Sequence, residues 1–399
     1  MHPALNPLIK DVRCSLSGQT QAFDFTPPLG LCRCCTPAKP VMIHYRAEQL
    51  RPGWVKQDET SLWRYRALLP IARAPEHYFY SVGSTPTFRD PRLSERLGVE
   101  VFIKGEHTNL SGSFKDRGLS VAVLLATSLG ANRFCLPTQG NAGVAAALFC
   151  SRLNLAPCKV WMPETCRGGV YHRRAAWHGA EVKFAGRNIA DAGAVMRESC
   201  AEALQSGELV DLSTFYEPGR LEGKKTLGFE IAEAFGADLP EAILYPTGGG
   251  TGLVGIWKAF GELQQTGDLN PRGALPRMFA IQSENCAPVV EAFKNNFDHV
   301  VKVESKGTLA DGLDVPAAIM GHEILRILRA SKGDAVSVSE TAIAGDFKDL
   351  GRLGMTGGYE SAATVSGLRR ALREGRIERK SRVLLIFTSG AEAALARQS

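Results

Sequence analysis

Between residues 78 and 387 the chain alternates short apolar runs with helix-patterned stretches, and this alternation limits the fold more than any other feature. The runs at 99–103, 133–136, 159–162, 181–184, 242–245, 277–281 and 382–387 have the length and apolar content of buried strands. The segments 119–129, 142–153, 169–177, 189–205, 221–235 and 252–264 read as helices, with amphipathic helices at 316–329 and 362–373. Such alternation builds an α/β parallel sheet, because a parallel pair needs a crossover and a helix covers the sheet as it crosses. No internal repeat is visible. Residues 1–76 are broken by Pro27-Pro28, Pro37, Pro40 and Pro52-Gly53, and read as an irregular N-terminal extension packed on a later core.

A chain of 399 residues exceeds the roughly 250–300 that one core supports, so two or more domains are expected. An apolar content of 44% excludes disorder, and 41 glycines and 21 prolines without a period exclude collagen-like sequence. The formal charge of +6 favours an anionic substrate but does not argue for nucleic acid. No run of about 18 apolar residues exists, so no membrane partner is expected. Pro3, Pro7, Lys10, Asp11 and Arg13 leave no export segment at the start, so cytoplasmic location and reduced cysteines are the simplest expectation. Cys14-x-x-Ser17 followed by Cys32-Arg33-Cys34-Cys35 looks like half of a zinc ribbon. A full site shows two Cys-x-x-Cys pairs, and serine is a poor zinc ligand. A metal-free remnant is therefore expected, with Cys14, Cys32 and Cys35 as the residual zinc candidates and Cys34 as a substitute that would bring three or four thiols together.

Ligands of parallel sheets bind beyond the C-terminal strand ends, where the three most unusual loops fall. In the first, Gly112-Ser113-Phe114-Lys115-Asp116-Arg117-Gly118, a lysine opens a helix beside an arginine. Schiff-base chemistry needs a lysine of lowered pKa, which neighbouring cations and a helix N-terminus favour; an exposed helix-start lysine is the alternative. In the second, Pro137-Thr138-Gln139-Gly140-Asn141, Thr138 and Asn141 can cap the next helix, and its orphan amides suit a carboxylate. A plain capped turn is the alternative. The third, Thr247-Gly248-Gly249-Gly250-Thr251-Gly252, has four glycines in five positions, more than a turn needs, and reads as a phosphate loop. It also contains Gly250-x-Gly252-x-x-Gly255, a nominal dinucleotide fingerprint, but the next candidate ribose acid, Glu284, lies beyond the expected ~20 residues. A dinucleotide-binding oxidoreductase is the competing class, and a catalytically silent binding module is the third.

Together these loops resemble the threonine synthase family of pyridoxal-phosphate enzymes. Ser113-Phe114-Lys115-Asp116-Arg117-Gly118 is similar to its lysine motif, Gln139-Gly140-Asn141-Ala142 to its asparagine loop, and Gly248-Gly249-Gly250-Thr251-Gly252 to its phosphate loop. Glu217-Pro218-Gly219-Arg220-Leu221-Glu222-Gly223-Lys224-Lys225-Thr226 is similar to its arginine segment, and Thr388-Ser389-Gly390 to the loop near the pyridine nitrogen. The resemblance implies a tryptophan synthase β-like fold of type II, with two three-layer αβα domains and an N-terminal extension. The extension would take 1–76, a large cofactor domain 77–120 and 240–399, and a small mobile domain 121–239. It implies pyridoxal 5′-phosphate held covalently by Lys115, which also shuttles protons. Asn141 would bond the phenolic oxygen, Gly248 to Gly252 (with Gly249, Gly250 and Thr251) the phosphate, and Thr388 the ring nitrogen. Thr138, Gln139 and Gly140 would hold the α-carboxylate of a small anionic amino-acid substrate, and Arg220 a second anion such as the phosphate of O-phosphohomoserine. A homodimer is expected.

The departures fall on the substrate side. Ser81-Val82-Gly83-Ser84-Thr85-Pro86 is shortened, Asn109-Leu110-Ser111 precedes the lysine motif, and Phe215-Tyr216 replaces polar residues. The rival reactions within the class are thus β-replacement on phosphoserine or an O-activated serine, as in cysteate synthase-like relatives, and threonine or serine dehydration. Lys224 and Lys225 could face a substrate anion, and so could His172, but solvated surface is the expected place for them and for the arginine-rich run 369–382.

Overall fold

Each of two units is built on a mainly parallel sheet whose central strands are buried on both faces. The computed structural model describes residues 2–22, 30–271 and 273–396. One unit takes the described residues up to Ser84 together with Lys115–Thr226; the other takes Thr85–Phe114 together with those from Leu227 onward. One division thus falls immediately before Lys115 and another inside the helix Gly219–Phe235.

The second unit holds a six-stranded sheet in the order Asp334–Val338, Arg277–Ser283, Ala242–Pro246, Arg382–Phe387, Glu100–Gly105, Thr87–Arg89. The first five strands are parallel and the edge strand is antiparallel. On one face, alternate residues Val101, Ile103, Leu244, Phe279, Ile281, Val336 and Leu385 pack with the helices Pro91–Leu97, Glu340–Arg352 and Tyr359–Arg373. The intervening Ile243, Met278, Ala280, Leu384 and Ile386 are equally buried, as a middle layer requires.

In the first unit, the strands Glu181–Phe184, Lys159–Met162, Phe134–Pro137 and Val210–Asp211 form a parallel sheet. Cys135 and Trp161 of this sheet pack with Ala192 and Met196 of the helix Ile189–Ser199. The helices Lys115–Ser128 and Asn141–Arg152 pack on each other.

Several sequence expectations change. The N-terminal region is not irregular throughout: Thr20–Gln21, Ile9–Cys14 and Val41–Tyr45 form an antiparallel sheet. Val41, Ile43 and Tyr45 are its buried alternate residues, a pattern too short to stand out among the prolines. The helix expected over 189–205 breaks at Cys200 (φ −117°, ψ 13°), and the one expected from 316 begins at Gly321. The strand Asp334–Val338 and the helices Pro91–Leu97, Pro288–Lys294 and Glu340–Arg352 were not anticipated. The run 369–382 is solvated only in part: Arg373, Glu378, Arg379 and Lys380 are exposed, but three of its arginines are half-buried in ion pairs. Arg369 pairs with Asp346 at 2.9 Å, Arg370 with Glu284 at 2.8 Å and Arg376 with Asp334 at 2.8 Å, tying the helix Tyr359–Arg373 and its end to neighbouring elements.

The second unit also buries an ion pair. Lys104 Nζ lies 2.7 Å from Glu230 Oε2 and donates to the Thr85 carbonyl at 2.6 Å, while the Thr85 hydroxyl donates to Glu106 at 2.5 Å. Lys104 is 1% exposed and Glu230 6%, so removing the carboxylate strands a buried ammonium. Glu230→Ala is expected to cost about 3–5 kcal/mol of stability, read as a lower denaturant midpoint, with Glu230→Gln costing less. A Glu230→Ala loss below about 1 kcal/mol would show that the pair is not a structural requirement.

Candidate active site

In the first unit, two helix starts approach through backbone. The lysine helix, Lys115–Ser128, begins on the half-buried Lys115. The arginine helix, Gly219–Phe235, meets it at two glycines. A Cβ at Gly118 would lie 2.7 Å from the Arg220 carbonyl oxygen, and a Cβ at Gly223 would collide with the Arg117 carbonyl. Only glycine permits this approach. The fully buried Arg117 donates to the Thr226 hydroxyl at 3.0 Å, and that hydroxyl donates to the Gly223 carbonyl at 2.6 Å.

This approach gathers cations. Lys224 is 1% exposed, and burial, then the charges of Lys115 and Arg220, push its pKa well below the ordinary lysine range. Arg220 is 3% exposed, and burial lowers its pKa to about 10. Its Nη1 donates to the Leu212 carbonyl at 2.6 Å, while its Nε has no hydrogen-bond partner among the described residues. Glu217 is fully buried and accepts the Arg220 backbone N–H at 3.0 Å. Burial raises its pKa to about 8, so near neutral pH it is largely protonated and offsets little of the neighbouring positive charge. Lys225 is buried too, paired with Glu222 at 2.6 Å and seated 3.9 Å from the Tyr45 ring centroid. The reading of Lys224 and Lys225 as solvated is therefore corrected.

The asparagine helix, Asn141–Arg152, lies in the same unit and starts without a side-chain cap. The expected caps are not made. The Thr138 hydroxyl accepts from the Gly140 N–H at 3.1 Å, one residue before the helix, and Asn141 Nδ2 donates to the Tyr171 hydroxyl at 3.4 Å. The first-turn amides thus keep the orientation that a carboxylate can use. Tyr171 also faces Gly140, 3.6 Å from where a Cβ would sit, a neighbour that sequence spacing did not reveal.

In the second unit, the glycine run links the strand Ala242–Pro246 to the helix Thr251–Thr266. Gly250 adopts a left-handed conformation (φ 74°) and provides no side-chain cap. A Cβ at Gly248 would collide with the Gly312 carbonyl, and one at Gly252 with the Tyr245 hydroxyl. Three of the four glycines therefore have a local packing reason, which the sequence argument had assigned wholly to phosphate. The uncapped helix start behind them still suits a dianion. Thr388 is buried, and its carbonyl accepts from the Phe114 N–H at 2.9 Å, one residue before Lys115 in the chain. Ser389 bridges to Ser113. Glu360, which the sequence did not single out, accepts from the Gly312 N–H at 2.9 Å and the Ser389 hydroxyl at 3.3 Å, linking the wall of the glycine loop to the Thr388 loop. Each unit by itself offers groups of the kind that pyridoxal phosphate takes: in the first, a lysine beginning a helix and the uncapped start at Asn141; in the second, the uncapped start at Thr251 behind the left-handed Gly250.

A surface cleft of about 750 Å³ lined by Glu100, Glu241, Arg277 and Arg382 lies at the N-terminal strand ends, away from these loops. Glu284, the acid a dinucleotide would need, is held by Arg370.

These features define a fold-type II enzyme of pyridoxal-phosphate chemistry. A family model described as "Pyridoxal-phosphate dependent enzyme" matches residues 78–389. Threonine synthase of Methanosarcina acetivorans is 33% identical over 361 residues, 90% of this chain and 86% of that protein. Threonine synthase of Methanocaldococcus jannaschii is 29% identical over 382 residues, 94% and 91% of the two chains. Threonine deaminase isoform 2 from Solanum lycopersicum shares the fold, with a TM-score of 0.65 at 21% identity over 78% of this chain and 86% of that one. O-ureido-L-serine synthase does so with a TM-score of 0.62 at 19% identity, over 81% and 94%. The chain belongs to the pyridoxal-phosphate dependent enzyme family, as a divergent threonine synthase-like lyase. The oxidoreductase reading is set aside.

Because the Gly223 contact is backbone on backbone, no side chain can swing away to relieve it. Gly223→Ala is expected to lower stability by about 1–3 kcal/mol and to reduce cofactor absorbance per chain. The control Gly261→Ala, in a helix position where a Cβ meets nothing within 4 Å, is expected to be neutral or slightly stabilising. Equal behaviour of the two variants would contradict the close-approach reading.

Proposed function

We propose that the protein converts O-phosphohomoserine and water to threonine and phosphate. The observation that carries this is the buried Arg220, with its unpartnered Nε beside Lys224 and Lys115, in a chain similar to threonine synthases over most of its length. A desolvated cation cluster of this kind is stabilised by an anion, and a phosphate monoester brings two charges. When bound, pyridoxal phosphate supplies the electron sink for the carbanion at the substrate α-carbon.

The chain's own residues do the rest. The first-turn amides of the asparagine helix, with Thr138, Gln139 and Gly140, hold the α-carboxylate. Lys115 Nζ takes the α-proton and returns protons as the γ-phosphate leaves and water adds at the β-carbon. Arg220 binds the phosphate and steadies its departure. Gly248, Gly249, Gly250, Thr251 and Gly252 hold the cofactor phosphate, Asn141 its phenolic oxygen, and Thr388 its ring nitrogen. The ten free cysteines fit a reducing compartment such as the cytoplasm.

The test is a product screen by mass spectrometry with O-phosphohomoserine, phosphoserine, threonine and O-acetylserine, each with and without an added nucleophile. Threonine from O-phosphohomoserine is the expected product. Arg220→Ala is expected to lower kcat/KM for the phosphorylated substrate about 100-fold or more and to change an unphosphorylated one much less. Equal losses would remove the phosphate role from Arg220, and turnover of phosphoserine alone would replace the reaction by β-replacement.

A further inference from the structure

The N-terminal sheet ends in four cysteines that no step above uses. Their Sγ atoms, from Cys14, Cys32, Cys34 and Cys35, all lie within 4.8 Å of one another. Cys35 Sγ is 3.7 Å from both Cys14 Sγ and Cys34 Sγ. Four thiolates at zinc–sulfur distances of about 2.3 Å stand about 3.8 Å apart along each edge of a tetrahedron. A disulfide needs about 2 Å, and all four thiols are free. The cluster thus has the spacing of a metal cage rather than of a redox pair.

We propose that these cysteines bind one zinc ion in a closed tetrathiolate site. Ser17 stands where a Cys-x-x-Cys pair would place its second thiol, and the sequence therefore read as a remnant. The Sγ distances support four ligands instead, with Cys34 joining Cys14, Cys32 and Cys35, and the Ser17 hydroxyl lies 3.3 Å from Cys34 Sγ. The Ser17 N–H points to Cys14 Sγ at 3.4 Å and the Lys39 N–H to Cys32 Sγ at 3.2 Å. Such N–H donors stabilise thiolates and orient them toward a metal. All four corners come from the protein and leave no open position, so the site is structural rather than catalytic.

Its position says what it holds. Cys32 N–H bonds to the Lys39 carbonyl at 2.7 Å, closing the turn that contains the cluster. Two residues earlier, Gly30 N–H bonds to the Tyr216 carbonyl at 2.9 Å, and a Cβ at Gly30 would lie 2.6 Å from the Phe215 carbonyl oxygen. Phe215 has a left-handed backbone (φ 68°), a strained state for an aromatic residue that its surroundings must maintain. The zinc therefore fastens the turn that braces Phe215-Tyr216, just ahead of Glu217 and Arg220.

The test is metal analysis of holoenzyme purified without chelator under reducing conditions. One zinc per chain is expected, together with the visible d–d absorption of a tetrahedral thiolate site when cobalt replaces it. Cys35→Ser is expected to retain less than a tenth of the zinc while keeping its cofactor absorbance, and Ser17→Ala to retain the metal. Absence of both zinc and cobalt uptake in the unaltered protein would overturn the proposal, whatever the folding of the variants. So would full zinc retention in Cys35→Ser, or equimolar iron in place of zinc.

Discussion

The contact on which the first unit's chemistry depends is between two backbones. Gly118 and Gly223 let the lysine and arginine helices meet without side chains between them. The residues gathered there are cations, Lys115, Arg220 and Lys224, two of which the proposed reaction uses. Three amine or guanidinium groups do not share a dry volume without cost, and the depressed pKa of Lys224 records that cost. A site built this way would be stabilised by binding an anion.

The second unit prepares its part by other means. Its loops are set by hydrogen bonds and by glycines with no room for a Cβ. Glu360 is the connector, with one oxygen on the Gly312 amide and the other on the Ser389 hydroxyl. Gly312 in turn forms the wall against which Gly248 packs. The Thr388 loop is paired with Ser113 and Phe114, so the chain enters Lys115 from a segment already fixed by strand-like bonds. Packing alone accounts for three glycines of the run, and the proposed phosphate binding would use the same backbone.

Much of this was legible in the sequence where one physical rule acts locally. The strands 159–162, 181–184 and 382–387 match their observed bounds, because apolar runs flanked by turn residues leave few other options. The buried charges were not legible. Lys224 and Lys225 have the look of solvated helix residues, and only the tertiary partners Tyr45, Leu212 and Arg117 show that their helix is enclosed. The close approach of Gly118 and Gly223 was not legible either, because nothing in one sequence pairs the two glycines. The closeness of the four cysteines was legible only in part: Cys14, Cys32 and Cys35 stood out by spacing, and the fold of the turn brings Cys34 to the same place.

The central claim is that Lys115, and not its buried neighbour Lys224, carries the cofactor. Borohydride reduction of the holoenzyme followed by peptide mass mapping tests this directly. The account predicts a single modified peptide bearing the pyridoxyl group on Lys115. A label on Lys224, or on any other lysine, would contradict it.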